Sequence, residues 1–220
     1  MGDSRKRLRA FPDAVRFEIG QAIYQAELGE PHTSARPMRG LNAVEIVSDY
    51  CGDTYRGVYT TRIKGFIYVL HCFQKKSKAG IKTPKRDLEL IRSRLADAEL
   101  HFKSVLGREE KTSMHRKITD EEGSGNVLAD IGLPNPEEAL AKAEIARQVN
   151  RILAERGLSQ VQAGSLLRIA QPRVSDLARG RLGKFSLEKL LQFARLAGID
   201  IEIRMKPSTK PGLKVKTKAA

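Results

Sequence analysis

The chain has 220 residues with 40 Lys and Arg against 26 Asp and Glu, a formal net charge of +14 and a pI near 10.0. Such a balance favours polyanionic partners through phosphate neutralisation and counterion release, and the length gives room for two small domains. Apolar runs as short as Phe66 to Leu70 exclude a membrane-spanning helix, and the basic start has no apolar segment behind it, so no membrane partner is expected and the protein is read as cytoplasmic. Cys51 and Cys72 lack CxxC spacing, and His32, His71, His101 and His115 show no metal-ligand spacing, so neither a disulfide nor a metal or other cofactor is expected. Charge divides the chain: residues 1–106 carry net +7, residues 107–143 net −3 and residues 144–220 net +10.

In the first basic block, Asp3 or Ser4 can cap a short helix through Phe11, and Pro12-Asp13 restarts a longer one from about Ala14 to Leu28, closed by Gly29. A turn-rich stretch, Glu30 to Gly40, follows. The period then changes to two, and Ala43–Asp49, Tyr55–Ile63 and Phe66–Gln74 read as strands rich in Val, Ile, Tyr, Thr and Phe. Tight turns at Gly52-Asp53 and Lys64-Gly65 make these an antiparallel meander. Thr83-Pro84 starts a helix to about Leu106, with Leu88, Ile91, Leu95, Ala98 and Phe102 along one side. The expected layout is α+β, with helices on one sheet face and the other face available to a ligand.

The segments RAFPDAVRFEIGQAIYQAELGE, RGLNAVEIVSDYCGDTYRGVYTTR and IYVLHCFQKKSK resemble the RelE/ParE superfamily, closest to its phage-derived HigB-like toxins. That resemblance implies a RelE-like toxin domain over residues 1–106, whose usual first strand is missing because only Met1, Gly2 and Asp3 precede the first helix. It also implies a metal-independent endoribonuclease acting on mRNA at the ribosome, or, as in other members, a gyrase poison. Cleaving RNA without a metal needs a base for the 2′-hydroxyl, cations for the phosphate and an acid for the leaving oxygen. Arg56 offers a planar fork for phosphate, and Lys75, Lys76 and Lys78 offer charge beyond the third strand. His71 titrates near neutrality and suits an acid or base, while Tyr59 and Tyr68 are hydroxyl donors or stacking platforms. Strand alternation puts Val69, His71 and Phe73 on one face and Tyr68, Leu70 and Cys72 on the other.

Residues 107–135 are polar, include EEGSGN and read as an acidic connector with a flexible linker. Asn135 can cap a helix with Pro136 at its first position, and the series Ala143, Ala146, Val149, Ile152 and Leu153 carries it to Arg156, where Gly157 stops it. Residues 158–180 read LSQVQAGSLLRIAQPRVSDLARG, the pattern of a helix-turn-helix. Ala163 is the small residue that lets the second helix approach, and Leu166, Leu167, Ile169, Val174 and Leu177 face the core. Gln171, Pro172, Arg173 and Ser175 fall at the start of the second helix, the end that enters the major groove, with Gln160 placed for a phosphate and Arg179 and Lys184 beyond the helix. Ala170 stands where a Ser or Thr usually caps, and Arg168 where a turn glycine is common. Phe185–Leu196 adds a helix, Asp200–Met205 alternates as a short dimer-pairing strand, and residues 206–220 form a basic tail read as disordered.

From about Asn126 to Met205 the chain resembles the XRE/Cro-type helix-turn-helix of HigA-like antitoxins, with QPRVSDL as its recognition helix and KFSLEKL after it; the domain is expected over residues 136–205. Met114 precedes what looks like a complete antitoxin, so the chain is similar to a toxin and its antitoxin in one reading frame. Together these resemblances imply an operator-DNA-binding autorepressor, expected as a homodimer, that neutralises its own toxin half or that of a dimer mate. The alternative is a plain regulator whose first block is an inactive sensor or interaction module. A linker of about 30 residues reaches roughly 30 Å, enough for the acidic connector to fold over the basic RNA-binding face of the same chain.

Overall fold

The computed structural model describes residues 1–61, 63, 66–75, 84–105 and 121–202. Helices α1 (Ser4–Arg9) and α2 (Asp13–Glu27) come first, then strands β1 (Ala35–Pro37), β2 (Ala43–Tyr50), β3 (Asp53–Thr60) and β4 (Val69–Lys75), then α3 (Lys85–Val105). The strands form one antiparallel sheet in the order β1-β2-β3-β4. β1, which the turn-rich composition of residues 30–40 conceals, pairs Ala35 with Ile46 and Pro37 with Val44. The β2–β3 turn is built on Cys51 and Gly52, both at positive φ, one residue earlier than Gly52-Asp53. Neither Asp3 nor Ser4 caps α1 through its side chain; Asp3 is spent on Arg7 and Arg94 instead. Along the outer edge of β4, Ser4 Oγ donates to the Val69 carbonyl at 2.9 Å and Arg94 to the Leu70 carbonyl at 2.9 Å, so two edge acceptors are occupied.

Both faces of the sheet are covered, where sequence periodicity leaves one open. On one face Ile46, Tyr55, Tyr59 and Cys72 pack against Leu8, Val15, Ile19 and Ile23 of α1 and α2. On the other, Val58, Leu70 and Phe73 pack against Ile91, Leu95 and Ala98 of α3. A bulge in the β3–β4 ladder pairs Val58 with His71 but Tyr59 with Val69. Strict alternation therefore fails at Leu70, which joins the α3 face with His71 and Phe73 while Val69 turns to the α1/α2 face.

The second half contains α4 (Val127–Asp130), α5 (Pro136–Glu155), α6 (Gln160–Leu167), α7 (Gln171–Ala178), a 3₁₀ turn (Leu182–Lys184) and α8 (Leu187–Leu196). Asn126 caps α4 by accepting from the amides of Leu128 and Ala129. Asn135, by contrast, precedes α5 in the left-handed region and makes no side-chain cap. The HTH bundle closes around Leu167, Val174, Leu177, Leu190 and Phe193. Asp200–Glu202 are not in a strand, and the rest of the segment read as one lies outside the described residues, as does the 206–220 tail. Among the described residues no helix is long and apolar enough to cross a membrane.

The two halves share a core. Val127, Leu128, Ile131 and Leu133, with Ala139 and Ala143 of α5, complete the apolar cluster formed by α1, α2 and the sheet. Gly20 makes this possible, since a Cβ there would sit 2.6 Å from both Leu128 and Ile131 side chains. Polar contacts ring the junction: Tyr24 Oη donates to Glu144 at 2.9 Å, and Arg147, itself buried, pairs with Glu144 at 2.7 Å and with Glu30. Arg9 and Arg16 donate to the carbonyls of Asp130 and Ile131 at the end of α4.

Candidate nucleic-acid interface

Local sequence explains the geometry of α6 and α7. Ser159 and Gln162 form a reciprocal capping box that fixes the start of α6. Arg168 takes the left-handed turn, φ 56°, in the place where glycine is common. The closest approach at the elbow belongs to Gly164, whose added Cβ would lie 2.8 Å from the Ile169 carbonyl; Ala163, the residue singled out from sequence, is buried beside it. Ala170 supplies no side-chain cap to α7, and Pro172 sits in its first turn, where no intrahelical partner for its amide is needed.

Gln160, Gln171, Pro172 and Arg173 are all exposed, and the Gln171 amide donates to Gln160 Oε1 at 2.7 Å, so the two helix starts present one joined polar surface. An open groove of about 460 Å³ runs alongside, lined by Val161, Ser165, Arg168 and Gln171. Arg173 is held from behind: its guanidinium donates to the Lys184 carbonyl at 3.2 Å and lies 5.3 Å from the centre of the Phe185 ring. Lys184 pairs with Asp176 at 2.9 Å. Ser175 is half-buried on α7, and Arg179 is exposed just beyond it.

In the first half, Arg56 is buried and pairs with Glu45 across β2 and β3 at 2.5 Å. Glu45 escaped sequence reasoning; the signal available was register, because Glu45 opposes Val58 and lies diagonal to Arg56 on the same face. His71 is fully buried, stacked on Phe73, with Nε2 3.0 Å from Asp87 Oδ1 and Nδ1 3.4 Å from an Arg94 nitrogen. Burial pushes its pKa below the usual histidine range despite the Asp87 contact that opposes the shift. Arg56, His71 and Lys75 thus share the α3 face of β3 and β4, whereas Lys76 and Lys78 lie outside the described residues. Tyr59 faces the opposite core, its hydroxyl pushed up to about 12 by burial, and Tyr68 is half-buried against His101 at 3.1 Å.

The described part of the connector lies elsewhere. Glu121 pairs with Arg5 at 2.9 Å, the Glu122 carbonyl also meets Arg5, and α4 packs on α2, so residues 121–133 cover the α1/α2 side and not the face bearing Arg56 and His71. For the described part of the connector the expected acidic cover is corrected accordingly, since apolar complementarity at Gly20 decides where it docks and α3 covers the other face; residues 107–120 of that expectation lie outside the described residues.

Residues 127–206 match the family model described as "Helix-turn-helix domain". The second half is a helix-turn-helix domain. Residues 6–96 match the model described as "Phage derived protein Gp49-like (DUF891)", which takes in α1 through most of α3. A solved structure described as "Putative XRE Family Transcriptional Regulator" is 34% identical over 40% of this chain and 100% of its own, with a TM-score of 0.35. No curated protein matches the chain. The helix-turn-helix domain is of a DNA-binding type, and it is joined to a Gp49-like domain through the shared core.

Proposed function

We propose that this protein is a fused toxin–antitoxin regulator: its helix-turn-helix domain binds an operator and represses transcription, and it holds a latent RNA-cleaving domain in a closed form. The observation that carries the first part is the exposed start of α7, where Gln171 is clasped to Gln160 and Arg173 is pre-positioned by Lys184 and Phe185. Gln and Arg are the side chains that read adenine and guanine edges bidentately, and a pre-ordered Arg loses less entropy on binding. On this reading Arg56 holds the phosphate and Glu45, paired with it at 2.5 Å in the closed form, takes the 2′-hydroxyl proton and passes it to the leaving 5′-oxygen once that form opens. On this reading the docking of α4 and α5 on α2, within one chain or between dimer mates, neutralises by holding the first half in its closed form, with α3 over the face of Arg56 and Glu45, and not by covering that face itself.

A second reading has its own support: His71 is fully buried with both ring nitrogens engaged, which suits a non-catalytic interaction module. One experiment addresses both. DNA sequences enriched by binding to the full chain are compared with scrambled versions, and the same protein is incubated with mRNA and ribosomes before and after the halves are separated. Preference for the enriched sequence, with mRNA cut only after separation and insensitive to EDTA, is the expected result. Equal binding of both DNAs contradicts the operator reading, and intact mRNA throughout favours the interaction module.

A further inference from the structure

The α3 face of the sheet carries a ladder row that crosses all four strands. Arg36 on β1 opposes Glu45, Glu45 opposes Val58, and Val58 opposes His71. The next row on the same face runs Val47, Arg56, Phe73. α3 lies over the β3–β4 end of these rows, where Ile91, Leu95 and Ala98 pack on Val58, Leu70 and Phe73. Toward β1 that cover ends. Along β2 Ala43 is buried, Glu45 and Val47 are half-buried and Asp49 is exposed, and Arg36 beside them on β1 is exposed. A strip of the α3 face over β1 and β2 is therefore open, and it leads to the Glu45–Arg56 pair.

Charge along the strip is unevenly matched. Glu45 is held by Arg56 at 2.5 Å, and Asp49, two rows beyond Arg36, accepts from Thr54 Oγ1 at 2.8 Å. Arg36 forms no ion pair among the described residues, although Glu45 stands directly across the ladder from it. Neighbouring strands lie about 4.8 Å apart, so Arg36 on β1 and Arg56 on β3 are separated by roughly 10 Å at the backbone. Two long guanidinium side chains at that separation can grip neighbouring phosphates of one extended nucleic-acid strand, and a strip two strands wide suits a single strand better than a duplex.

We propose that single-stranded RNA enters the latent site over β1 and β2, and that Arg36 binds a phosphate neighbouring the one that Arg56 holds. The inference deepens the RNA-cleaving reading above and rests on it. Because Arg36 is exposed and Arg56 is buried, RNA docks on the closed chain at Arg36 and reaches Arg56 when that form opens. Arg36 is a binding residue: the phosphate it grips does not react, so its contribution is to affinity and not to the chemical step.

The test uses the full chain and an unstructured single-stranded RNA oligonucleotide, with affinity followed against salt concentration. One lost phosphate contact on a single strand lowers the salt slope by about 0.7, which is the change expected for Arg36→Ala, while Arg36→Lys keeps the slope. Arg92→Ala removes an equally exposed arginine from α3 and is expected to leave the slope unchanged. Neither Arg36 variant should shift the melting temperature, since the side chain is exposed. An unchanged slope in Arg36→Ala, an equal fall in Arg92→Ala, an equal fall on duplex DNA, or no RNA binding by the unmutated chain overturns the inference. If Arg36→Ala alone lowers the slope but mRNA stays intact after the halves are separated, the RNA dock stands and the cleavage reading falls; if mRNA is cut and the slope is unchanged, only the dock falls.

Discussion

On the proposed function, Arg173 is the residue on which sequence recognition turns. Its guanidinium is exposed but fixed against the Lys184 carbonyl and the Phe185 ring, so on that reading it would meet DNA already ordered. Replacing it with Ala should cost about 1 to 3 kcal/mol on the preferred operator and relax discrimination at one base pair. Equal losses on preferred and scrambled DNA would assign it to backbone binding instead. His32 shows how far burial can act where no chemistry is intended. Its Nδ1 accepts from the Ser34 amide at 3.1 Å, and burial between the halves pushes its pKa down to about 4. An unfolded histidine titrates near 6.5, so below that pH the unfolded chain takes up a proton that the folded chain refuses. The stability contributed by the neutral ring is complete above about 6.5 and is lost as pH falls toward 4, by roughly 3 kcal/mol at most. Glu18, raised by burial, opposes this trend, so the informative quantity is a difference. His32→Asn, which keeps an acceptor for Ser34, should flatten the melting temperature between those pH values; an unaltered pH profile would show that His32 is not the group responsible. Arg56 and His71 were legible in the sequence as chemistry-bearing types, but their burial was not, because it depends on α3 crossing the sheet from a distant part of the chain.

At the scale of elements, the helix-turn-helix was legible almost residue by residue, since capping, period and turn signals are all local. Ser159, Gly157 and the apolar positions of α6 and α7 took the roles their spacing suggested. What was missed depends on contacts between elements. β1 is three residues long and exists because β2 offers a paired edge, and the β4 bulge is set by the ladder with β3, not by side-chain alternation. Gly164 offers a test of the elbow. On helix propensity alone Gly164→Ala would gain up to about 1 kcal/mol, yet the new methyl would meet the Ile169 carbonyl at 2.8 Å. Overpacking against fixed backbone typically costs about 1 to 3 kcal/mol, so the clash wins and a net loss is expected in denaturant unfolding. A stabilised variant would mean that the turn yields without strain.

For the molecule as a whole, composition revealed two basic blocks and an acidic join, but charge misjudged where the described part of the join, from residue 121 on, docks. The contact surface is apolar at its centre, Leu128 and Ile131 over Gly20, with the Tyr24–Glu144–Arg147–Glu30 network at its margin. Burying side chains of this size contributes about 1.5 to 3 kcal/mol each, well beyond what exposed ion pairs supply. Covalent connection is then not required to keep the halves together. The central claim is that the Gp49-like half and the helix-turn-helix half are one docked unit, and the direct measurement is to cut the chain at a protease site inserted near Gly123 and run the product on a sizing column at micromolar concentration. Co-elution of both fragments as a single species of the uncut size is the predicted result, and free separation of the two would contradict the account.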